Sequence, residues 1–164
     1  METFNSFTPD FARNLWGIPN AKASIRGIGE YKNLRGEVRF YQTLKGVIVN
    51  VEIMGMLYNS EDCGINFYGF HIHEGNSCTG NEKDPLANVG KHYNPNNCNH
   101  PAHRGDLLPL ISSNGYVLEN FLIDSFNVSE LIGKTIVIHD RADDFRSQPS
   151  GDSGNKIACG EIKQ

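Results

Sequence analysis

Short runs of alternating apolar and polar residues recur along most of the chain. In the run GVIVNVEIMG, Val47, Val49 and Val51 fall at every second position and therefore share one face of a β-strand. Eight such runs are separated by glycine, asparagine and aspartate, which are typical of turns. They are ASIRG, GEVRFYQT, GVIVNVEIMG, FYGFHIHE, LLPLI, GYVLENFLI, KTIVIHD and KIACGEI. The pattern predicts an all-β sandwich or barrel.

Two segments depart from this pattern. The segment NVSELIG predicts one helical turn, with Asn127 or Ser129 as its N-cap. Residues 1–20 are irregular and rich in aromatic side chains, so we expect an arm packed on the body of the protein. Residues 21–164 are enough for one domain with a hydrophobic core of its own.

The run GFHIHEG places two histidines two residues apart. Because side chains alternate along a strand, Phe70 and Ile72 would enter the core while His71 and His73 face the other way. Two imidazoles on a rigid strand supply half of a metal site. An exposed pair of surface histidines is an equally good interpretation of this run alone.

The segment 75–107 has no strand pattern. A connection of this length in a compact domain is usually functional or is held by something other than secondary structure. It contains His92, and it ends in HPAHRGD, where His100, His103 and Asp106 are spaced so that their donor atoms can converge on one ion. Metal bonds would offset the conformational entropy of the loop.

The remaining histidine ends the run TIVIH. Ile136 and Ile138 share the core face of this strand, so His139 faces away from the core. The six histidines of the chain are thus confined to two strands and one loop. Imidazoles with one carboxylate suit zinc, and additional imidazoles suit copper. The set predicts a metal centre.

The motifs GFHIHE, GKHYNP, HRGDL, VIHDRADD and GNKIACGEI follow one another in this order. In this combination the chain resembles the copper/zinc superoxide dismutase family through nearly all of residues 21–162. The resemblance implies a Greek-key, eight-stranded flattened barrel, an immunoglobulin-like sandwich with long metal-binding loops. It also implies an enzyme that disproportionates superoxide to dioxygen and hydrogen peroxide, with copper and zinc as cofactors.

The resemblance further implies two metal ions that share one histidine. The copper ligands would be His71, His73, His92 and His139, and the zinc ligands His92, His100, His103 and Asp106. His92 would bridge the metals and carry a proton during turnover, which makes it catalytic. Asp143 matches the carboxylate that links the outer nitrogens of one copper ligand and one zinc ligand, fixing their orientation.

The chain has four cysteines, and their spacing alone fits buried thiols, metal ligands or disulfides. The resemblance implies a disulfide between Cys78 and Cys159 that anchors the loop to the last strand. Cys63 and Cys98 have no counterpart in the family. A second disulfide between them, tying the loop to the entry of the GFHIH strand, and two free buried thiols are both open interpretations.

Lys156 stands where the family places an arginine over the copper. Its ammonium keeps the positive charge that attracts superoxide but lacks the flat fork of donors of a guanidinium. We expect Lys156 to be a catalytic residue that supports less activity than an arginine would. An ordinary solvated lysine is the alternative. Arg141 and Arg146 either assist the attraction or face solvent.

Charge and hydropathy exclude several partners. A net charge of -4 argues against a nucleic-acid or anionic-membrane binder, and no apolar run approaches the roughly 18 residues of a membrane span. The first residues lack the pattern of a secretory signal, so the cytoplasm is the default location. An extracellular or cell-surface location would follow if this sequence were a trimmed chain. Dimers are common in the family, so a homodimer is one expected assembly.

Two other functions compete with the enzymatic one. The first is a dismutase-like module that binds or stores copper and zinc without turnover. The second is a zinc hydrolase, which is disfavoured because four imidazoles around one ion leave no open position for water activation.

Overall fold

The computed structural model describes residues 17–57 and 66–164. These residues form nine β-strands, one short α-helix and two 3₁₀ turns. The strands are β1 (Ala21–Gly27), β2 (Arg35–Thr43), β3 (Gly46–Met54), β4 (Phe67–Tyr68), β5 (Phe70–His73), β6 (Leu110–Ile111), β7 (Tyr116–Ile123), β8 (Thr135–His139) and β9 (Lys156–Lys163). The helix is α1 (Val128–Leu131), and the 3₁₀ turns are Gly29–Tyr31 and Ala87–Val89.

Seven strands form one antiparallel sheet in the order β5-β8-β9-β1-β2-β3-β7, and β4 pairs with β6 beside it. The all-β prediction is confirmed, and each of the eight predicted runs contains a strand. The run FYGFHIHE is divided at Gly69, whose backbone N–H donates to Arg141 and whose carbonyl accepts from His139. In LLPLI only the last two residues are paired, since Pro109 has no N–H to donate.

The hydrophobic core lies on the inner face of the sheet. Val47, Val49 and Val51 are fully buried there, as the alternation predicts. Phe70 and Ile72 enter the same core from β5. The histidines of β5 therefore lie on the opposite face of that strand, where the long loop covers them.

A second, smaller apolar cluster lies on the outer face of the sheet. It contains Leu86, Val89, Val137 and Cys159, with Ile28 and Cys78 packed against it. Its loop members come from the segment 75–107, and its strand members come from β8 and β9. The cluster holds the long loop against the outer face of β8, which ends at His139, and of its neighbour β9.

The predicted helical turn is α1, and Asn127 is its N-cap. The Glu130 carboxylate accepts a hydrogen bond from the backbone N–H of Asn127 at 2.7 Å, which satisfies one free donor of the helix end. Across residues 17–57 and 66–164, none of the helices has the length and apolarity needed to cross a membrane.

Candidate metal centre

Four buried histidines from three parts of the chain meet at one point. His71 and His73 come from β5, His139 from the end of β8, and His92 from the long loop. One ligand atom from each lies within 4.8 Å of the others. The Nε2 atoms of His73 and His139 are 3.4 Å apart. A backbone bridge between His73 and His92 ties the loop to β5 beside this cluster.

A second group of four residues shares His92 with the first. His92, His100, His103 and Asp106 each offer a ligand atom within 4.8 Å of the others. Nδ1 of His92 lies 2.8 Å from one oxygen of Asp106. Nδ1 of His100 and Nδ1 of His103 lie 3.0 Å and 3.3 Å from the other oxygen. The structure thus brings all seven predicted ligands into two adjacent sets.

Backbone carbonyls orient two of these rings. Nδ1 of His73 donates to the carbonyl of Gly90 at 3.0 Å, and Nδ1 of His139 donates to the carbonyl of Gly154 at 3.4 Å. Because a carbonyl can only accept, the proton of each neutral ring is on Nδ1 and the lone pair is on Nε2. That lone pair faces the cluster and is available to a metal.

Asp143 connects the two sets of ligands. One oxygen accepts from Nε2 of His71 at 2.6 Å, and the other accepts from Nε2 of His100 at 2.9 Å. Burial raises the pKa of this carboxyl, but hydrogen bonds from His71, Phe145 and His100 outweigh it and lower the pKa to about 2. The ionised carboxylate therefore holds both rings with Nδ1 free for a metal.

Several ring nitrogens at the centre have no hydrogen-bond partner. They are Nδ1 of His71, Nε2 of His92, Nδ1 of His100 and Nδ1 of His103, all buried and without a hydrogen bond to the described residues; the last two lie near an Asp106 oxygen but form no hydrogen bond with it. A buried polar atom without a partner is costly, and a native structure rarely contains four together. Ligation of metal ions by these lone pairs would remove that cost, so the residues fit two metals.

Burial keeps three histidines of the centre, His71, His73 and His139, neutral. It lowers the pKa of His73 well below the ordinary value and lowers that of His71 as well, with the charge of His92 acting in the same direction. Burial, together with the charges of His71, His92 and Lys156, lowers the pKa of His139 to about 3. Neutral imidazole is the form that binds metals.

A glycine that the sequence patterns do not single out packs against this centre. Gly151 has φ +68°, in the left-handed region, and a Cβ on it would overlap the carboxylate of Asp143 and contact Nε2 of His100. Only glycine fits this position, because the backbone is left-handed and there is no room for a Cβ. No local pattern marks it, because the contact joins distant parts of the chain.

Lys156 lies at the rim of the centre. It pairs in register with His139 across β8 and β9. Its Nζ donates to Asp84 at 2.6 Å and to the carbonyl of Leu86 at 3.1 Å. Arg141 and Arg146 are exposed, and Arg141 forms an ion pair with Asp152 at 3.1 Å.

The structure forms the disulfide between Cys78 and Cys159, which confirms that prediction. It connects the long loop to β9. Cys98 is a free, exposed thiol. Cys63 lies outside the described residues, as does most of the predicted N-terminal arm, residues 1–16.

Comparison with known proteins assigns the chain to a family. The family model described as copper/zinc superoxide dismutase matches residues 34–162. The chain therefore belongs to the copper/zinc superoxide dismutase family, whose members are oxidoreductases that use copper and zinc. The predictions of family, enzyme class and cofactors are confirmed.

Individual relatives agree with this assignment. The chain is 31% identical over 142 residues to a copper-zinc superoxide dismutase of Photobacterium leiognathi, covering 78% of each protein. It is 32% identical over 136 residues to one of Brucella abortus, covering 72% of this chain and 78% of that protein. The solved structure of a Cu/Zn superoxide dismutase from Brucella abortus has a TM-score of 0.72 at 23% identity, covering 88% of this chain and all of that one, and shows that the two folds are alike.

Proposed function

We propose that this protein disproportionates superoxide at a copper ion and a zinc ion that share His92. Copper would be held by Nδ1 of His71 and by Nε2 of His73, His92 and His139. Zinc would be held by Nδ1 of His92, His100 and His103 and by the carboxylate of Asp106. In the overall reaction, two superoxide ions and two protons give one dioxygen and one hydrogen peroxide.

When bound, copper supplies the one-electron redox couple of this chemistry, and zinc supplies a fixed positive charge on the bridging ring. The protein's own contribution is geometric. His92 presents its two nitrogens to the two centres, so Nε2 can take up a proton and hand it to the forming peroxide while Nδ1 keeps the ring in place. Four of the other rings are kept from turning by hydrogen bonds: Asp143 holds His71 and His100, and the carbonyls of Gly90 and Gly154 hold His73 and His139.

One observation carries this proposal. Four buried ring nitrogens lack partners among the described residues, and they divide between two ligand sets that have His92 in common. A structural histidine cluster would satisfy its nitrogens with hydrogen bonds to protein groups. A centre for a single metal would have no use for two complete sets of four ligands.

The test measures metal content and superoxide consumption in the purified protein and in two variants. We expect about one copper and one zinc per chain. His73→Gln should lose copper and activity and keep zinc, since His73 belongs only to the copper set. His103→Gln should lose zinc first, since His103 belongs only to the zinc set. His92→Gln should weaken the binding of both.

The alternative functions give different results in the same test. Both metals bound without superoxide consumption would indicate the binding or storage module. Zinc alone with hydrolytic activity would indicate the hydrolase. Loss of both metals in His73→Gln as well as in His103→Gln, with the protein still folded, would contradict the division into two sets.

We further propose that Lys156 attracts the superoxide anion to the copper set. Its position opposite His139 supports this role, because a cation at the rim raises the local concentration of an anionic substrate. Lys156→Arg should keep or increase the rate, because a guanidinium adds a planar set of donors. A clear loss of rate in the arginine variant would contradict the role.

Assembly and location are also proposals. A homodimer is expected from the family, and light scattering of the purified protein measures its oligomeric state.

The Cys78–Cys159 disulfide is typical of an oxidising compartment, which supports an extracellular or cell-surface location over the cytoplasmic default. Residues 21–164 would act as one domain, with residues 1–20 as an arm on it. Cell fractionation tests the location. Deletion of residues 1–20 tests whether residues 21–164 fold as a domain without the arm.

A further inference from the structure

The ammonium of Lys156 is held by the long loop. Its Nζ lies 2.6 Å from Oδ2 of Asp84 and 3.1 Å from the carbonyl oxygen of Leu86. The side chain of Lys156 is 22% exposed and that of Asp84 is 43% exposed, so the pair is at the surface and open to ions from solution. Two of the three ammonium donors are therefore directed at the protein.

Asp84 is itself fixed within the loop. Its Oδ1 accepts from the backbone N–H of Leu86 at 3.0 Å, and its own backbone N–H donates to the side chain of Asn81 at 3.1 Å. Burial acts to raise the pKa of Asp84, but the hydrogen bonds from Lys156 and Leu86 outweigh it and lower the pKa. The carboxylate is thus oriented and ionised toward the lysine.

The disulfide joins the two segments that carry this pair. Cys78 precedes Asp84 in the loop, and Cys159 follows Lys156 in β9, so the Cys78–Cys159 bond holds together the two segments that form the ion pair. Lys156 also acts electrostatically on His139, whose pKa it helps to lower. Lys156 is also paired in register with His139, so this partly exposed pair lies beside the histidine that ends β8.

We propose that Asp84 competes with the anionic substrate for the ammonium of Lys156. This inference rests on the proposed function of the site. The formal charges of Lys156 and Asp84 cancel, so an approaching anion finds a neutral pair and must compete with the carboxylate for the charge of the ammonium. Asp84 would thereby determine how strongly Lys156 attracts superoxide or any other small anion.

The test measures azide binding to the copper-loaded protein through the absorption spectrum of the bound copper. Azide carries one negative charge, like superoxide, and its affinity does not depend on turnover. Asp84→Asn should bind azide roughly two to five times more tightly at low ionic strength, the size expected when a surface ion pair no longer competes. The gain should shrink as salt is added.

A double-variant cycle separates competition from simple loss of a negative charge. If Asp84 acts through Lys156, Asp84→Asn should have little effect on azide affinity in a Lys156→Gln background. An equal gain in both backgrounds would mean that Asp84 acts alone, and it would overturn the proposal. Glu37→Gln is the matched control, because Glu37 pairs with Lys22 and Arg39 on the strands β1 and β2. It should leave azide affinity unchanged.

The ion pair can also be measured without copper. The carboxyl pKa of Asp84, followed by NMR in the metal-free protein, should be below the ordinary value and should rise in Lys156→Gln. Copper binding with azide affinity unchanged or weakened in Asp84→Asn would overturn this proposal alone. A protein that binds no copper would overturn the proposed function and this inference with it.

Discussion

The carboxylate of Asp143 lies 2.6 Å from Nε2 of His71, and both side chains are fully buried. The two residues are 72 positions apart in the chain. The second oxygen of the same carboxylate holds His100, a member of the other ligand set. One buried carboxylate therefore orients a ring at each metal position, which couples the geometry of the two sites.

Replacing this carboxylate should weaken both metal sites. In Asp143→Asn the amide oxygen can accept from only one of the two rings, while its NH₂ group faces the N–H of the other. We expect the affinity for copper and for zinc to fall roughly 10- to 100-fold. Competition with a chelator of known affinity measures both values.

Asp152→Asn is the control for this prediction. Asp152 is an exposed carboxylate near Asp143 in the chain, and it pairs with Arg141. It has φ +48°, a conformation that asparagine also accepts. Its substitution should leave both affinities unchanged. Equal metal binding in Asp143→Asn and the parent would contradict the role assigned to Asp143.

Gly151→Ala should disturb the same carboxylate by overlap. The new methyl group would occupy the space of the Asp143 carboxylate, in addition to the strain of a left-handed backbone. Gly133→Ala is a matched control, because Gly133 has φ +82° and a Cβ there meets no atom within 4 Å. Gly133→Ala should cost about 1–2 kcal/mol of stability and keep both metals. Gly151→Ala should cost more and lose metal, as thermal unfolding and metal analysis would show.

Removal of the disulfide should destabilise the fold strongly. The bond between Cys78 and Cys159 joins residues separated by 81 positions. Closing a loop of this length stabilises a protein by about 4 kcal/mol in the chain-entropy description. The double variant Cys78→Ser with Cys159→Ser should lose about that much free energy of unfolding in denaturant titrations. Cys98→Ser, at an exposed free thiol, should change it by less than about 0.5 kcal/mol.

The metal-free protein should lose stability in acid. Burial and nearby charges lower the pKa of His139 to about 3 in the folded chain, whereas an unfolded histidine has a pKa of about 6.5. Between these values the unfolded chain binds more protons, so the free energy of unfolding falls as the pH falls from about 6.5 to about 3. Asp143, with a pKa of about 2, continues the loss at lower pH. Denaturant titrations of chelator-treated protein at several pH values measure the free energy of unfolding. A constant value across this pH range would contradict the prediction.

The strand pattern predicted the part of the centre that lies on regular structure. Alternation alone placed His71 and His73 opposite Phe70 and Ile72, because the side-chain period of a strand is two whatever the strand packs against. The division at Gly69 was not visible in the same pattern. It depends on which strands pair on either side, and that is a property of the whole sheet.

The long loop could be recognised from the sequence but not traced. Its histidines predicted that a metal holds it, yet the partners that orient the centre come from elsewhere in the chain. Asp84 meets Lys156 across 72 positions, and Gly151 packs on Asp143 and His100. No periodic pattern or local composition of the sequence marks such contacts, so they could not be predicted from neighbouring residues.

By itself, the sequence predicted the class of fold and the chemistry that imidazole and carboxylate donors can support, because residue type and strand alternation act over a few neighbouring residues. Its resemblance to the family supplied the seven candidate ligands. Only the tertiary structure decided which nitrogen of each ring faces the candidate metal centre and how Lys156 is held. Those features depend on hydrogen bonds between segments that folding brings together from distant parts of the chain.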